Sequence, residues 1–154
     1  MYVDKVLIPT KVARSGMTIR KFFAECSRAN TPGLPYCNDE GKIVGRVTLK
    51  NVLKNTWLPD YLVAMARVLG EQLSNVQDIE ENAKETCDGP IDPYVQKPHL
   101  SVTPGSSAVK ALALMEQSDT SYIYVVDEGR YLGVVTIHSL ADKLARYDKK
   151  ARKS

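Results

Sequence analysis

The side chains that most often do chemistry are few in this sequence. Cys26, Cys37 and Cys87 form no C-x-x-C pair, and the two histidines, His99 and His138, form no cluster with them. A zinc site and a disulfide framework are therefore poorly supported. Neither histidine stands in an arrangement typical of a nucleophile and its base, which favours solvent-facing or structural histidines. Phosphate-cradling glycine loops are also missing, so we predict a protein that is not an enzyme and requires no cofactor.

Length and composition favour a globular protein. The 154 residues, 44% hydrophobic and 25% charged, fit one domain or two small repeats that share a core. No apolar run approaches the ~20 residues of a membrane span. Asp4, Lys5 and Lys11 interrupt the N-terminal stretch where a signal peptide needs an apolar core. We therefore expect a cytoplasmic protein without membrane insertion.

The charge is unevenly distributed. Six of the basic residues and one acidic residue lie from Lys143 onward, so the preceding residues are slightly acidic although the net charge is +3. A nucleic-acid binder needs basic residues across its folded face, so we expect no specific nucleic-acid partner. The basic tail, 148–154, is either a solvated terminus or a contact for an acidic partner or membrane surface. Residues 71–92 hold seven acids and one base, which suggests a connector.

A ten-residue segment occurs twice. Residues 39–48 reappear as residues 127–136, and six of the ten positions are identical. In each copy an Asp-Glu-Gly turn joins two apolar stretches, which predicts hairpins of 34–38 with 43–48 and of 122–126 with 131–136. An amphipathic helix precedes each hairpin, with Thr18 and either Ser106 or Ser107 as N-caps, and another follows it. The predicted unit is β-α-β-β-α, an α/β (α+β) fold.

These motifs resemble a tandem pair of CBS (cystathionine beta-synthase) domains, known as a Bateman module. The resemblance rests on Gly-Leu-Pro at 33–35, on the two Asp-Glu-Gly turns and on the Val-Thr strand ends. It covers repeat 1 at 4–53 and repeat 2 at 92–147, with a connector at 54–91. It implies that the two repeats pack about a pseudo-twofold axis through their small sheets.

The resemblance also implies a function. Such modules bind adenosine compounds in clefts between the repeats, so we expect AMP, ADP, ATP or S-adenosylmethionine as a regulatory ligand, with or without magnesium. Without an effector domain in the sequence, a homodimer would signal to a separate transporter, channel or metabolic enzyme. The alternative is a dimeric scaffold whose nucleotide pockets have degenerated.

Site residues carry over by position. In repeat 1, the resemblance places Gly33, Leu34 and Pro35 against the base and Thr48 at the phosphate or ribose. Asn51 stands where the family has a ribose-binding Asp, and an uncharged amide weakens that clamp.

The second pocket is the more degenerate one. Thr136 and Ser139 take the positions of Thr48 and Asn51, and Ser121-Tyr122-Ile123 replaces Gly-Leu-Pro. The aromatic ring of Tyr122 is expected to fill this pocket.

Further candidate contacts lie on the strands. Strand alternation places Arg46 on the same face as Thr48, where it either reaches a ligand phosphate or extends along an exposed face. Aligning the first helices at an offset of 90 pairs Val12 with Val102. This alignment puts Lys11 and Ser101 beside the pockets, with Lys11 as a phosphate contact.

The connector contains one predicted helix. Apolar residues recur at helical spacing over 59–74, and Trp57 precedes them. The apolar face of this helix either packs on the helices of the module or forms a dimer or partner surface, with Trp57 as an anchor.

Overall fold

A helix, a hairpin and a second helix follow one another in both halves of the chain, but among the residues that the structure describes only the second half has a strand before its first helix. In the first half, the predicted leading strand is reduced to an isolated bridge between Ala13 and Tyr36. The structure is a computed structural model that describes residues 1–69, 79–98 and 100–147. The α-helices are α1 (Ile19–Ala29), α2 (Leu49–Trp57), α3 (Asp60–Leu69), α4 (Ile79–Cys87), α5 (Ala108–Gln117) and α6 (Ile137–Ala145). The strands are β1 (Gly33–Cys37), β2 (Ile43–Thr48), β3 (Ser101–Val102), β4 (Tyr122–Asp127) and β5 (Arg130–Thr136).

The strands form two small sheets. β1 pairs antiparallel with β2, and β4 pairs antiparallel with β5 and parallel with β3. Gly41 and Gly129 make the two predicted hairpin turns with φ of +81° and +79°, a conformation that residues with a Cβ rarely adopt. Both hairpins carry a bulge at the same place, before Cys37 and before Val126. The predicted hairpins and the mixed α/β class are confirmed.

The segment that precedes the first helix of each repeat, here called its leading segment (residues 1–18 in repeat 1 and 88–98 in repeat 2), pairs with the sheet of the other repeat. Ile8 pairs antiparallel with Val134 of β5, and Gln96 pairs antiparallel with Arg46 of β2. The exchange is the same in both directions, so a pseudo-twofold axis relates the two repeats. The clefts of the module form at these two crossings.

Two glycines make the crossings possible. A Cβ on Gly45 would lie 2.7 Å from the carbonyl oxygen of Gln96, and one on Gly133 would lie 2.5 Å from that of Ile8. Both distances are shorter than real contacts allow, so only glycine lets the crossing backbone approach this closely. The repeated Gly-x-Val-Thr pattern therefore marks where the two repeats meet.

The helix caps correct the predicted alignment of the two repeats. Thr18 caps α1 and Ser107 caps α5, and each hydroxyl accepts the backbone N–H three residues further on. The helices are thus offset by 89 residues rather than 90. Ile19 corresponds to Ala108, which is consistent with the burial of Ile19 and the exposure of Val109.

Strand register gives the same offset. Ala13 pairs with Tyr36, and Val102 pairs with Val125 at the equivalent place, so Ala13 and not Val12 is the counterpart of Val102. The helix-to-strand loops are equally long. The difference in length lies in the first hairpin turn, where Asn38 is an additional residue whose Oδ1 accepts two backbone N–H groups.

Three apolar clusters hold the fold together. One lies between the first hairpin, α1 and α2, and another between the second hairpin, α5 and α6. The third lies between the repeats around Tyr122, Tyr124 and Val134. The leading segments also cross between the two cores. Val3, which precedes α1, packs in the core of repeat 2, and Ile91 packs in the core of repeat 1.

The connector confirms one prediction and departs from it at two places. α2 continues past residue 53, the predicted end of repeat 1, to Trp57, whose ring lies 6.5 Å from that of Phe23. α3 confirms a helix after Pro59, although 70–74 of the predicted helix lie outside the described residues. The acidic stretch contains α4, which the polar sequence did not predict because no residue of this helix is fully buried, and among its described side chains only Cys87 packs against the core of repeat 1.

Candidate functional site

The larger of two clefts between the repeats, here named cleft 1, has a volume of about 620 Å³. Its walls come from β2 and α2 on one side and from the segment around the start of β4 on the other. The lining residues are Pro32, Arg46, Thr48, Lys50, Asn51, Lys54, Gln96, Met115, Glu116, Ser118, Asp119, Thr120, Ser121 and Tyr122. Both repeats therefore contribute to one cavity of ligand size.

Thr48 and Asn51 are fixed in cleft 1 by the start of α2. Thr48 is the N-cap, and its Oγ1 accepts the Asn51 backbone N–H at 3.1 Å. The Asn51 amide donates to the Tyr94 carbonyl at 3.0 Å and accepts from Asn55 at 2.9 Å. Asn51 thus ties repeat 1 to the leading segment of repeat 2, and both polar atoms of its side chain already have protein partners.

Arg46 lines cleft 1. Its backbone N–H and carbonyl pair with Gln96 at 3.0 and 2.9 Å, which fixes the strand position. Of the two alternatives from the sequence, the structure therefore favours the cleft over an exposed face. The cationic side chain is close enough to Tyr122 to oppose the rise in its pKa that burial causes.

Tyr122 belongs to cleft 1, and its predicted place in the second pocket is wrong. Strand register aligns Tyr122, opposite Thr136, with Gly33, opposite Thr48. A Cβ on Gly33 would lie 2.8 Å from the Tyr122 hydroxyl oxygen, so the ring of Tyr122 occupies the space that the glycine leaves. Burial raises the pKa of Tyr122, which keeps the phenol neutral.

Other predicted contacts lie away from the clefts. Leu34 is fully buried in the core of repeat 1, and Gly33 and Pro35 are buried beside it. The remaining predicted contacts that line neither cleft are Lys11, Val12, Ser101, Val102 and Thr136, the last of which caps α6. Apart from that of Thr136, their placement followed from the alignment error of one residue and from reading the Gly-Leu-Pro backbone as open to ligand.

Lys11 has a structural role instead. Its backbone N–H donates to the Glu25 carboxylate at 2.6 Å, and Arg28 donates to the same carboxylate at 2.7 Å. Chiefly because of the Arg28 hydrogen bond, the pKa of Glu25 is lowered from 4.5 to about 2. The buried carboxylate fastens the leading segment of repeat 1 to α1.

The smaller cleft, cleft 2, lies at the pseudosymmetric position and has a volume of about 420 Å³. Ser139 lines it, but its hydroxyl accepts from the Thr136 backbone N–H and donates to the Thr136 carbonyl, both at 3.0 Å. Thr136 itself is buried and caps α6. The two predicted residues thus stabilise the helix start. The full lining is Lys5, Val6, Leu7, Ile8, Asn30, His138, Ser139, Asp142 and Lys143.

Several lining residues were missed in the sequence. Asn30 follows α1 and lines cleft 2, and Asp119 follows α5 and lines cleft 1. Each has a φ of 51°, in the left-handed region. Lys50 and Lys54 lie one turn apart on α2 and both reach cleft 1. Helical spacing of the lysines was available as a signal, but only the crossing of the repeats places them opposite Asp119.

The cysteines contribute packing. Cys26 is buried in the core of repeat 1, and desolvation raises the pKa of its thiol to about 12. A neutral buried thiol is a poor nucleophile. In the part of the chain that the structure describes, no group of His, Cys, Asp or Glu side chains is arranged to hold a metal ion. The same residues include no helix long and apolar enough to cross a membrane.

Comparison with known proteins identifies the fold. Residues 91–146 match the family model of the CBS domain. The CBS domain of a CBS domain containing membrane protein from Sphaerobacter thermophilus superposes with a TM-score of 0.64 and 18% identity, over 92% of this chain and 86% of that chain. No curated protein matches the sequence.

Two similar structures contain ligands. CBSX2 in complex with AMP has a TM-score of 0.60 and 16% identity over 94% of this chain and 96% of its own. The CBS domain pair of protein MJ0100, in complex with 5′-methylthioadenosine and S-adenosyl-L-methionine, has a TM-score of 0.61, 16% identity and the same coverage. Residues 91–146 therefore match the CBS domain family, and the chain has the fold of a tandem CBS domain pair, as its repeated motifs predicted.

Proposed function

We propose that the chain is a non-catalytic regulatory module of the cytoplasm that binds an adenosine-containing ligand in cleft 1. The observation that carries the proposal is the composition of this cleft, which both repeats build and which holds Arg46, Lys50 and Lys54. The N-terminus of α2 also opens into it, and helix N-termini favour anions. The ligand-bound structures of CBSX2 and MJ0100 support an adenosine compound, such as AMP, ADP, ATP or S-adenosylmethionine.

Ligand binding would change the coupling between the repeats. A ligand in cleft 1 touches α2 on one side and the loop before β4 on the other, so it stabilises one relative arrangement of the two. A regulatory signal needs such a differential contact. We propose that this arrangement is transmitted to a separate effector, such as a transporter, channel or metabolic enzyme.

The proposed homodimer uses an apolar groove on repeat 2. The groove lies between α5 and α6 and has a volume of about 350 Å³. Its residues are Met1, Ala108, Val109, Leu112, Ile137, Leu140, Ala141 and Leu144. Val109 is 76% exposed and Leu144 60% exposed, which is unusual for adjoining apolar side chains. The chain also has a basic end and an acidic connector, so two copies offer complementary charge.

The dimer has a direct test. Val109→Glu places a charge in the groove and is expected to shift the mass in sedimentation equilibrium from dimer to monomer. Lys110→Glu is the matched control, since Lys110 is the next residue on α5, is exposed and lies outside the groove. Equal masses for both variants and for the wild type would contradict the proposed surface.

Ligand binding is tested by thermal shift and calorimetry. AMP, ADP, ATP and S-adenosylmethionine are added to the wild type with and without magnesium. A ligand at about 100 times its Kd is expected to raise Tm by roughly 5–10 °C. Ser121→Trp or Ser118→Trp should abolish the shift by filling cleft 1, because both serines are exposed and line it.

The control for cleft filling is Ser101→Trp. Ser101 is exposed on β3 and lines neither cleft, so this variant should keep the shift of the wild type. Ligand-free unfolding midpoints establish that each variant folds. Loss of the shift in Ser101→Trp, with retention in Ser121→Trp, would place the ligand elsewhere.

A scaffold with degenerate pockets is the second candidate function. It is favoured by Asn51, whose amide is engaged with Tyr94 and Asn55, and by Ser139, whose hydroxyl is engaged with Thr136. A flat response to every adenosine ligand, confirmed by calorimetry, together with a stable dimer would establish the scaffold and reject the sensor.

A further inference from the structure

The cations of cleft 1 outnumber its acids. Arg46, Lys50 and Lys54 come from repeat 1, and Glu116 and Asp119 come from repeat 2. The charges are thus segregated to opposite walls, so one wall of the cleft is strongly positive. An anionic ligand is expected to lie against this wall.

The two lysines are available to a ligand. They are one helical turn apart on α2, which separates them by about 5–6 Å along the helix axis. In the described part of the chain, Lys50 takes part in no ion pair, and Lys54 reaches only Asp60 at 4.0 Å. Asp60 is 96% exposed, so solvent screens this pair. Two neighbouring lysines with this spacing can contact different phosphates of one chain.

The groups that would read a base or ribose are partly engaged or covered by protein. Each polar atom of the Asn51 amide already has one protein partner, and the ring of Tyr122 covers Gly33. Leu34 and Pro35 are buried. The base-reading loop that the resemblance implied is therefore closed, whereas Lys50 and Lys54 are exposed in the cleft.

We infer that cleft 1 recognises the polyphosphate group of a nucleoside di- or triphosphate and discriminates ligands by their number of phosphates rather than by their base. The inference rests on the proposed function, because it names the ligand class of the same cleft. Each added phosphate brings negative charge to the wall formed by Arg46, Lys50 and Lys54. Lysine binds phosphate as a point charge and imposes little geometry, so base identity has a small effect.

Isothermal titration calorimetry of the full chain in EDTA tests the inference. The ligands are AMP, ADP, ATP, GTP, S-adenosylmethionine and inorganic triphosphate. Affinity is expected to rise about tenfold or more from AMP to ATP, with GTP within about threefold of ATP. Inorganic triphosphate is expected to bind, and S-adenosylmethionine to bind least. Higher salt should weaken ATP more than AMP.

Lysine variants locate the effect. Lys50→Gln combined with Lys54→Gln should reduce the ratio of ATP to AMP affinity to about two or less, since it removes the charges that separate the ligands. Lys42→Gln combined with Lys110→Gln is the control, because both lysines are exposed and lie outside cleft 1. The control should keep the ratio of the wild type.

The outcomes separate the inference from the proposed function. Equal affinity for AMP and ATP, or loss of binding when guanine replaces adenine, overturns the inference and leaves an adenosine sensor. Retention of the ATP preference in the Lys50 and Lys54 double variant also overturns it. Binding of inorganic triphosphate without any preference for adenosine compounds supports the inference and removes adenosine from the proposed function. Absence of all binding rejects both.

Discussion

The two repeats share a backbone fold, but their side chains differ in size at the surface where the repeats meet. Positions that register makes equivalent hold small side chains on β1 and large ones on β4. The pairs are Gly33 and Tyr122, Pro35 and Tyr124, and Cys37 and Val126. The Tyr122 ring packs against Gly33, and the Tyr124 ring is 5.6 Å from that of Tyr122. The two surfaces therefore fit together because the small residues of β1 leave space for the large side chains of β4. The Tyr122 ring needs a glycine at position 33, so the two equivalent positions could not both hold a large residue.

The same difference makes the clefts unequal. Arg46 on β2 corresponds to Val134 on β5, so one crossing carries a cation and the other an apolar side chain. Cleft 1 is also larger, at about 620 Å³ against about 420 Å³. Although the backbones of the repeats are pseudosymmetric, their side chains therefore make cleft 1 larger than cleft 2 and place a cation only at its crossing.

The outer faces of the repeats differ as well. In repeat 1, Trp57 is 8% exposed and packs beside Phe23. Asp88, the residue that follows α4, forms an ion pair with Arg20 of α1 at 3.2 Å. In repeat 2, Leu112 is equivalent to Phe23 and Val109 is equivalent to Arg20, and both side chains are exposed. The connector thus covers a helical face of repeat 1, whereas the equivalent face of repeat 2 is exposed.

The repeats are most alike at the two backbone crossings, where Gln96 pairs with Arg46 and Ile8 pairs with Val134. Substitutions that disrupt these crossings should have the largest effect on stability. Gly45→Ala and Gly133→Ala each place a Cβ within 2.7 Å of a backbone carbonyl oxygen. Each is expected to lower the free energy of unfolding by about 3 kcal/mol or more, measured by urea denaturation. Gly105→Ala is the control, because its Cβ meets no atom within 4 Å and the φ of Gly105 is not positive. Unequal losses at Gly45 and Gly133 would show that the crossings are not equivalent.

The second-largest expected effect on stability concerns the outer helical faces, which the connector covers in repeat 1 but not in repeat 2. Trp57→Ala removes the ring that covers α1 and is expected to lower the free energy of unfolding by about 3 kcal/mol. Leu144→Ala in the open groove of repeat 2 should cost less than about 1 kcal/mol, because Leu144 is 60% exposed. Both values come from denaturation at low protein concentration, where a dimer would dissociate. Equal costs would mean that the connector does not cover repeat 1 as described.

The smallest expected effect concerns the leading segments. Glu25 fastens the one in repeat 1, whereas α5 has Leu114 at the equivalent position. The pKa of Glu25 is about 2 in the folded chain against 4.5 ordinarily, so its stabilisation is complete above pH 4.5 and is lost as the pH falls toward 2. Glu25→Gln should cost about 2 kcal/mol at pH 7 and flatten stability between pH 4.5 and 2.

The control for Glu25 is an exposed ion pair. Asp142→Asn removes the 3.1 Å pair with Arg146, and both side chains are more than half exposed. It is expected to change stability by less than about 0.5 kcal/mol and to leave the acid dependence unaltered. If Glu25→Gln behaved in the same way, the carboxylate would not hold the leading segment.

Local signals predicted the elements of the fold well. Asp-Glu-Gly turns and apolar alternation placed both hairpins, and Thr18 was recognised as a helix cap. Thr48 and Asn51 were placed together because both lie at one helix start. Such features depend on residues a few positions apart, which periodicity captures directly.

Alignment and side-chain partners were less predictable. The offset of 90 between the helices paired Val12 with Val102, because Ile19 and Val109 are both apolar although only Ile19 is buried. Tyr122 was assigned to the wrong cleft for a related reason. Which residues share a cleft depends on the pairing of Ile8 with Val134 and of Gln96 with Arg46, and these partners are 126 and 50 residues apart in the sequence.

The sequence by itself determined the repeated helix-hairpin-helix order, its turns and caps, and the presence of two glycines where the backbones approach, whereas among the described residues the full β-α-β-β-α unit forms only in repeat 2. These depend on local conformational preference and on side-chain period. Only the tertiary structure decided that the leading segments cross, that Tyr122 fills the space beside Gly33, and that Lys50 and Lys54 form one cationic wall. Those outcomes arise from packing between distant segments, where the size and charge of one residue have meaning only beside its neighbour.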